Sequence, residues 1–207
     1  MIVITDRDME ILRLVYRFKF CLGRHVGLLV EFTGFRASDR RLKALVEAGY
    51  LSRKKYLYGI PYLYTLTHKG RILIGANKRE NKIRLEQISH DIAVLGAVIF
   101  FKEKYRLALA DIESEKDLHI KNGFGMRRHQ PDFVFSSEGK KYAVELELTA
   151  KAKSTLEKNV RENYLNYDHQ IWITGDNKVF ALLQNLTNEY ANMTIEKLEG
   201  MICHEQT

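Results

Sequence analysis

Three carboxylates stand at spacings that can do chemistry: Asp132, Glu145 and Glu147. Asp132 follows Pro131 and opens the run Asp132-Phe133-Val134-Phe135; Glu145 and Glu147 alternate with apolar residues between Tyr142 and Leu148. In an extended chain successive side chains point to opposite faces. Tyr142, Val144, Leu146 and Leu148 then share one face, with Ala143, Glu145 and Glu147 on the other. Asp132 falls on the face opposite Phe133 and Phe135. Ser136-Ser137-Glu138-Gly139 is turn chemistry, so the two runs are expected to pair as a hairpin. Pairing would bring Asp132, Glu145 and Glu147 to one side of a sheet. Such a cluster repels itself unless a hard cation, a basic partner or a shared proton neutralises it. The bland alternative is a sheet edge with solvated acids, because any half-buried strand pairs its polar residues on one face.

Pro131-Asp132 followed by Glu145-Leu146-Glu147 resembles the core of the PD-(D/E)XK nuclease superfamily. That resemblance implies that Asp132 and Glu145 hold a divalent metal, usually magnesium. It also implies a Lys two positions after the second acid, which positions or activates the attacking water. Here Glu147 stands at that position, so Lys151 or Lys153 would have to reach back from the start of the next helix. The family fold places a helix before the catalytic strands that often contributes an acid. Glu86 is the candidate for that role, with His90 or Asp91 as substitutes, on a helix expected from Ile83 to about Lys104. Its apolar stripe is Leu85, Ile88, Ile92, Leu95 and Ile99.

The elements that must position these residues follow in order. A first strand is expected over Leu107–Ile112, then an acidic loop over Asp111–Asp117. A basic loop, Lys121–Gln130, would bring Arg127, Arg128 and His129 to Asp132, where they could neutralise the acids or hold a phosphate. A helix from Ala150 to Tyr164 carries Lys151, Lys158 and Arg161. A strand Gln170–Thr174, a helix capped by Asp176 and a strand Met193–Leu198 complete an α/β core.

The N-terminal part has a different character. Residues 1–80 hold 16 Lys and Arg against 7 Asp and Glu, whereas residues 81–207 hold 17 against 19. The whole net charge of +7 therefore comes from the first part, and a polyanion is the partner such a surface suits. Thr5 caps a helix with Asp6 and Asp8 in its first turn. Phe20–Val30 reads as a second helix and Ala37–Ala48 as a third, ended by Gly49. Two short strands, Tyr50–Tyr58 and Pro61–Leu66, flank Tyr58-Gly59-Ile60, and Thr67-His68-Lys69-Gly70 opens a short helix.

Three helices followed by a basic hairpin is similar to a winged helix-turn-helix domain. The resemblance implies that the third helix enters a DNA major groove, with Arg36, Arg40, Arg41 and Lys43 touching bases or phosphates. Arg53, Lys54 and Lys55 on the wing would sit by the backbone or minor groove. A protein-binding winged helix with solvated charges is the alternative. The tyrosines at 56, 58, 62 and 64 suit packing of the wing against the body as well as stacking on bases.

Lys78-Arg79-Glu80-Asn81 divides the chain into residues 1–78, a winged helix, and 79–207, a nuclease-like mixed-sheet domain. This two-domain α/β (α+β) order resembles the replication-relaxation proteins of plasmids and mobile elements. Three functions stand open. One is a DNA-binding protein of replication or transfer with a degenerate nuclease domain. The second is a magnesium-dependent endonuclease using Asp132 and Glu145. The third is a winged-helix transcriptional regulator, able to act as a homodimer. Double-stranded DNA is the expected partner in each, with other replication or transfer proteins possible in the first. Cys21 and Cys203 lack metal or redox spacing, and no run is long and apolar enough to span a bilayer. A cytoplasmic setting with reduced thiols is therefore expected.

Overall fold

The computed structural model describes residues 2–76, 83–123, 129–149 and 151–199. The Lys78–Asn81 joint, Arg127, Arg128 and Cys203 lie outside the described residues. The chain forms two compact units, Met1–Leu95 and Gly96–Thr207, with the division between them falling inside a helix. Residues just past the joint belong with the first unit for a packing reason. Ile88, with Ile83 and Ile92 beside it, packs against Phe20, Leu22 and Leu63.

The first unit begins with α1 (Asp6–Arg17), whose start is fixed by a reciprocal capping box. The Thr5 side chain accepts from the Asp8 amide, and the Asp8 carboxylate accepts from the Thr5 amide at 2.7 Å. Next come α2 (Gly23–Leu29) and α3 (Phe35–Glu47), then the antiparallel strands β1 (Leu51–Lys54) and β2 (Leu63–Leu66), and α4 (His68–Leu73). The expected helix at Phe20–Val30 is shorter than its sequence pattern, because Cys21 is extended and bridges Tyr64 beside β2. The hairpin strands are shorter too, since only Leu51–Lys54 and Leu63–Leu66 pair.

A buried histidine gives this unit a pH dependence. His25 is 1% exposed; its Nδ1 accepts the Leu22 amide at 3.4 Å, and its Nε2 has no partner among the described residues. Burial, with Arg24 adding to it, lowers its pKa to about 3. The unfolded chain regains an ordinary histidine near pH 6.5. The contribution of neutral His25 is therefore complete above that pH and is lost as pH falls toward 3. Between those limits each pH unit costs about 1.4 kcal/mol. A thermal melt series from pH 7.5 to 4.5 should show this decline, and His25→Gln should flatten it.

In the second unit the tail of α5 (Ile88–Tyr105) leads to a 3-10 turn at Leu109–Asp111, β3 (Ile112–Ser114) and α6 (Glu115–Asn122). The hairpin β4 (Phe133–Ser137) and β5 (Lys140–Leu146) follows, then α7 (Lys153–Asn166), β6 (His169–Thr174), α8 (Asn177–Thr187) and β7 (Met193–Lys197). The strands form one mixed sheet in chain order, β3-β4-β5-β6-β7. The first three are antiparallel, and β6 and β7 add in parallel. Two segments differ from expectation. The first strand lies over Ile112–Ser114 instead of Leu107–Ile112, because Leu109–Asp111 turns. The expected acidic loop runs into the first turn of α6, capped by Ser114 and Asp117 in a second reciprocal box. Leu85, expected in the helical core stripe, is 53% exposed on a 3-10 turn that precedes α5.

Alternation along β4 and β5 sorts the sheet's faces. Phe133, Phe135 and Tyr142 lie on one face, where Phe101 and Tyr105 of α5 cover them; Phe101 and Phe135 stack with centroids 5.5 Å apart. Trp172 and Met193 lie on the other face, packed with Leu156 and Val160 of α7 and Val179 and Leu183 of α8. Glu145 pairs in register with Trp172, which puts its side chain on the α7 side. The chain is thus a two-unit α+β protein, with eight α-helices among the described residues. None of those helices is long and apolar enough to cross a membrane.

Candidate functional site

In the first unit the buried residues of α3 are Ser38, Leu42 and Leu45, one helical stripe. Arg36, Arg40 and Lys43 recur at i, i+4 and i+7 and are all exposed, so they form a basic ridge. Lys43 also reaches Glu47 at 3.8 Å across one turn. Arg41 is not part of that ridge. It sits three residues after Ser38 and four before Leu45, at the border of the buried stripe. Its Nε donates to Asp8 Oδ1 at 2.5 Å, a second nitrogen donates to Asp8 Oδ2, and the same nitrogen donates to the Val3 carbonyl at 2.7 Å. The guanidinium expected on DNA is committed to holding α3 against α1.

The wing carries Arg53, Lys54 and Lys55, all exposed, with Lys55 just beyond the end of β1. Its four tyrosines divide evenly. Tyr64 is 7% exposed, and Tyr56 packs against the cluster of Phe20, Leu22 and Leu63. Tyr58 is fully exposed, and Tyr62 is 43% exposed.

In the second unit the hairpin brings the acids together, and each has found its own partner. Asp132 Oδ2 accepts the Leu146 amide at 2.8 Å and so closes the open end of the hairpin. Glu145, 5% exposed, accepts from the Asn163 side-chain amide at 2.9 Å and contacts His129 Nε2. Glu147, 3% exposed, is paired with Lys151 Nζ at 2.6 Å. Burial pushes the Glu145 carboxyl above its ordinary range against the pull of His129 and Asn163. Burial pulls His129 down, but Glu145, then Glu162 and Asp132, outweigh it and hold the imidazole above its usual value. The pair therefore keeps its proton to higher pH than free side chains would. Lys151 is shifted up in the same way: burial opposes its charge, and Glu147, Glu145 and Asp132 together overcome that.

Against models of protein families, curated proteins and solved structures, the chain finds no match.

The donor chemistry of Asp132 and Glu145 suits a hard cation, and one oxygen of each already has a protein partner. Glu145 Oε1 already takes the Asn163 amide and the His129 ring nitrogen, Glu147 takes Lys151, and Asp132 takes a backbone amide. Among the described residues no group of three His, Cys, Asp or Glu side chains is placed to hold a metal ion. Glu86, the expected helical acid, is exposed on its 3-10 turn in the first unit. Its substitutes lie in the same unit: Asp91 is 3.7 Å from Lys19 and 3.6 Å from His90. The partners of Glu145 come from the second unit instead. Lys153, the other lysine expected to reach back, pairs along its own helix with Glu157 at 3.6 Å.

Asn163 and Glu162 escaped the sequence reading. Asn163 continues the inward stripe of α7 begun by Leu156, Asn159 and Val160, so a polar residue recurring in an apolar stripe was its signal. Glu162 accepts the His129 amide at 2.9 Å and fixes the strand of chain that delivers His129. Beside this pair lies a polar cavity of about 210 Å³, lined by His129, Gln130, Asn163, Asn166, Tyr167 and Lys121 among others.

Proposed function

We propose that the chain binds double-stranded DNA through its N-terminal unit, and that its C-terminal unit is a nuclease-like scaffold without cleavage activity. Such a pairing suits a protein of plasmid or mobile-element replication or transfer. The observation that carries this reading is the exposed ridge of Arg36, Arg40 and Lys43 on α3, the third helix of the N-terminal unit, with Arg53, Lys54 and Lys55 exposed on the hairpin that follows it. A helix of this kind fits the major groove, and a hairpin beside it reaches the flanking backbone. Phosphate contacts would supply most of the affinity, and base contacts from the helix would select the site. The loss of cleavage is supported by the acids' partners. His129 and Lys151 neutralise the two carboxylates that a catalytic cation would need or that stand in place of the family lysine.

A second reading, a magnesium-dependent endonuclease, draws support from Lys151. Its ammonium lies against Glu147 and within electrostatic reach of Glu145 and Asp132, where the family lysine would be wanted. Incubating the protein with supercoiled plasmid and magnesium or manganese separates the two. The binding reading expects a shifted band and intact supercoils. Nicking by the wild type that disappears in Asp132→Asn would establish the endonuclease. Asparagine is the informative substitution, because its side-chain oxygen can still accept the Leu146 amide.

A further inference from the structure

The wing holds two aromatic rings out of the fold and surrounds them with cations. Tyr58 is fully exposed at the tip of the hairpin, and Tyr62, just before β2, is 43% exposed. Their placement is built. Leu57 and Ile60, on either side of Tyr58-Gly59, pack against the cluster of Phe20, Leu22, Leu63 and Ile88. The turn is therefore tied down at both shoulders, and Gly59 takes the left-handed conformation (φ +79°) that its reversal needs. Among the described residues nothing buries the Tyr58 ring. The charges are arranged around the rings. The Arg53 guanidinium lies 4.0 Å from the centroid of Tyr62, and Lys55 Nζ lies 5.7 Å from that of Tyr58. Lys54 is exposed between them in sequence.

Flat rings flanked by cations are the chemistry that holds unpaired nucleic acid. Bases stack on the rings or on a guanidinium plane, and the cations take the phosphates. A fully paired duplex offers such rings little, because its bases are already stacked on each other. We propose that the wing is a stacking platform for unpaired nucleobases, so that the protein prefers DNA in which a duplex adjoins a melted or single-stranded segment. This deepens the DNA-binding reading and rests on it: the α3 ridge would hold the duplex while Tyr58 and Tyr62 take the displaced bases.

The test compares three labelled DNAs of one sequence by fluorescence anisotropy: a full duplex, a duplex with a central mismatched bubble, and a duplex with a single-stranded tail. The expected result is about tenfold tighter binding to the bubble or tailed DNA than to the duplex. The Tyr58→Ala/Tyr62→Ala protein should lose that preference and keep the wild-type affinity for duplex. Tyr58→Phe/Tyr62→Phe should retain it, since stacking needs the ring and not the hydroxyl. Circular dichroism melts of both variants confirm folding; exposed rings predict melts close to the wild type. Equal binding of all three DNAs by the wild type would overturn the platform while leaving duplex binding intact. A preference that survives the alanine variant would place it elsewhere and also overturn the proposal. Failure to bind any of the three DNAs would overturn the platform together with the reading beneath it.

Discussion

Gly70→Ala is expected to unfold the N-terminal unit well below the wild-type transition, by roughly 15 °C, from a loss of about 3 kcal/mol. A Cβ at Gly70 would stand 2.2 Å from the carbonyl oxygen of Tyr50 and 3.0 Å from Leu66 Cδ2. The first contact is with backbone, so no rotamer change relieves it. That carbonyl is already fixed: it accepts the Thr67 amide and the Thr67 hydroxyl, both at 3.1 Å. Thr67 in turn caps α4, accepting from the Gly70 amide at 3.1 Å. Any shift that makes room for the methyl group must break the joint between the wing and α4. Gly34→Ala is the control. Its Cβ would meet nothing within 4 Å and its backbone is extended, so its melt should match the wild type within about 0.5 kcal/mol.

Arg41→Ala should cost nearly as much, about 3 kcal/mol, by a different route. Asp8 is 0% exposed, and the substitution leaves its carboxylate buried without its cation. Burial alone would raise the Asp8 carboxyl, but hydrogen bonds from Arg41 and Thr5 and the Arg41 charge hold it below the usual carboxylate range. A lowered folded-state pKa means that the pair stabilises fully above the unfolded carboxyl's titration and is lost as pH falls through the folded value. Acid melts below about pH 4 should therefore narrow the gap between wild type and Arg41→Ala. Removing both partners, as in Asp8→Ala/Arg41→Ala, should cost less than the sum of the single changes, since no buried charge is then left alone. Arg40→Ala, one residue earlier but exposed, should leave the melt within about 0.5 kcal/mol of wild type.

The contrast between Arg40 and Arg41 shows how far the sequence could be read. Helical period places Arg41 beside Ser38 and Leu45, so its half-buried position was available from spacing. Its partner was not, because Asp8 lies 33 residues away and already had a role as a first-turn acid of α1. The acid cluster divides in the same manner. Period-two alternation and the Ser136–Gly139 turn were enough to place Glu145 on one face of a hairpin and Asp132 at its mouth. The inward stripe of α7 could mark Asn163 as buried, but its partner could not be read locally, since the packing of α7 beside Glu145 of β5 is tertiary. Local signals were also underused. Ser114-x-x-Asp117 is a capping box, yet only Leu118 of α6 is buried, and a helix with so little apolar surface reads as a charged loop.

If α3 holds duplex DNA, binding must depend on salt and on the α3 cations. Anisotropy titrations of a labelled duplex between about 50 and 200 mM salt, on the wild type and on the Arg36→Gln/Arg40→Gln/Lys43→Gln protein, supply the result. Log affinity should fall linearly with log salt for the wild type. The triple variant, folded by its melt, should bind about a hundredfold more weakly at the lower salt, with a shallower slope. Wild-type binding that ignores salt, or a triple variant that binds as the wild type does, would contradict duplex binding by α3.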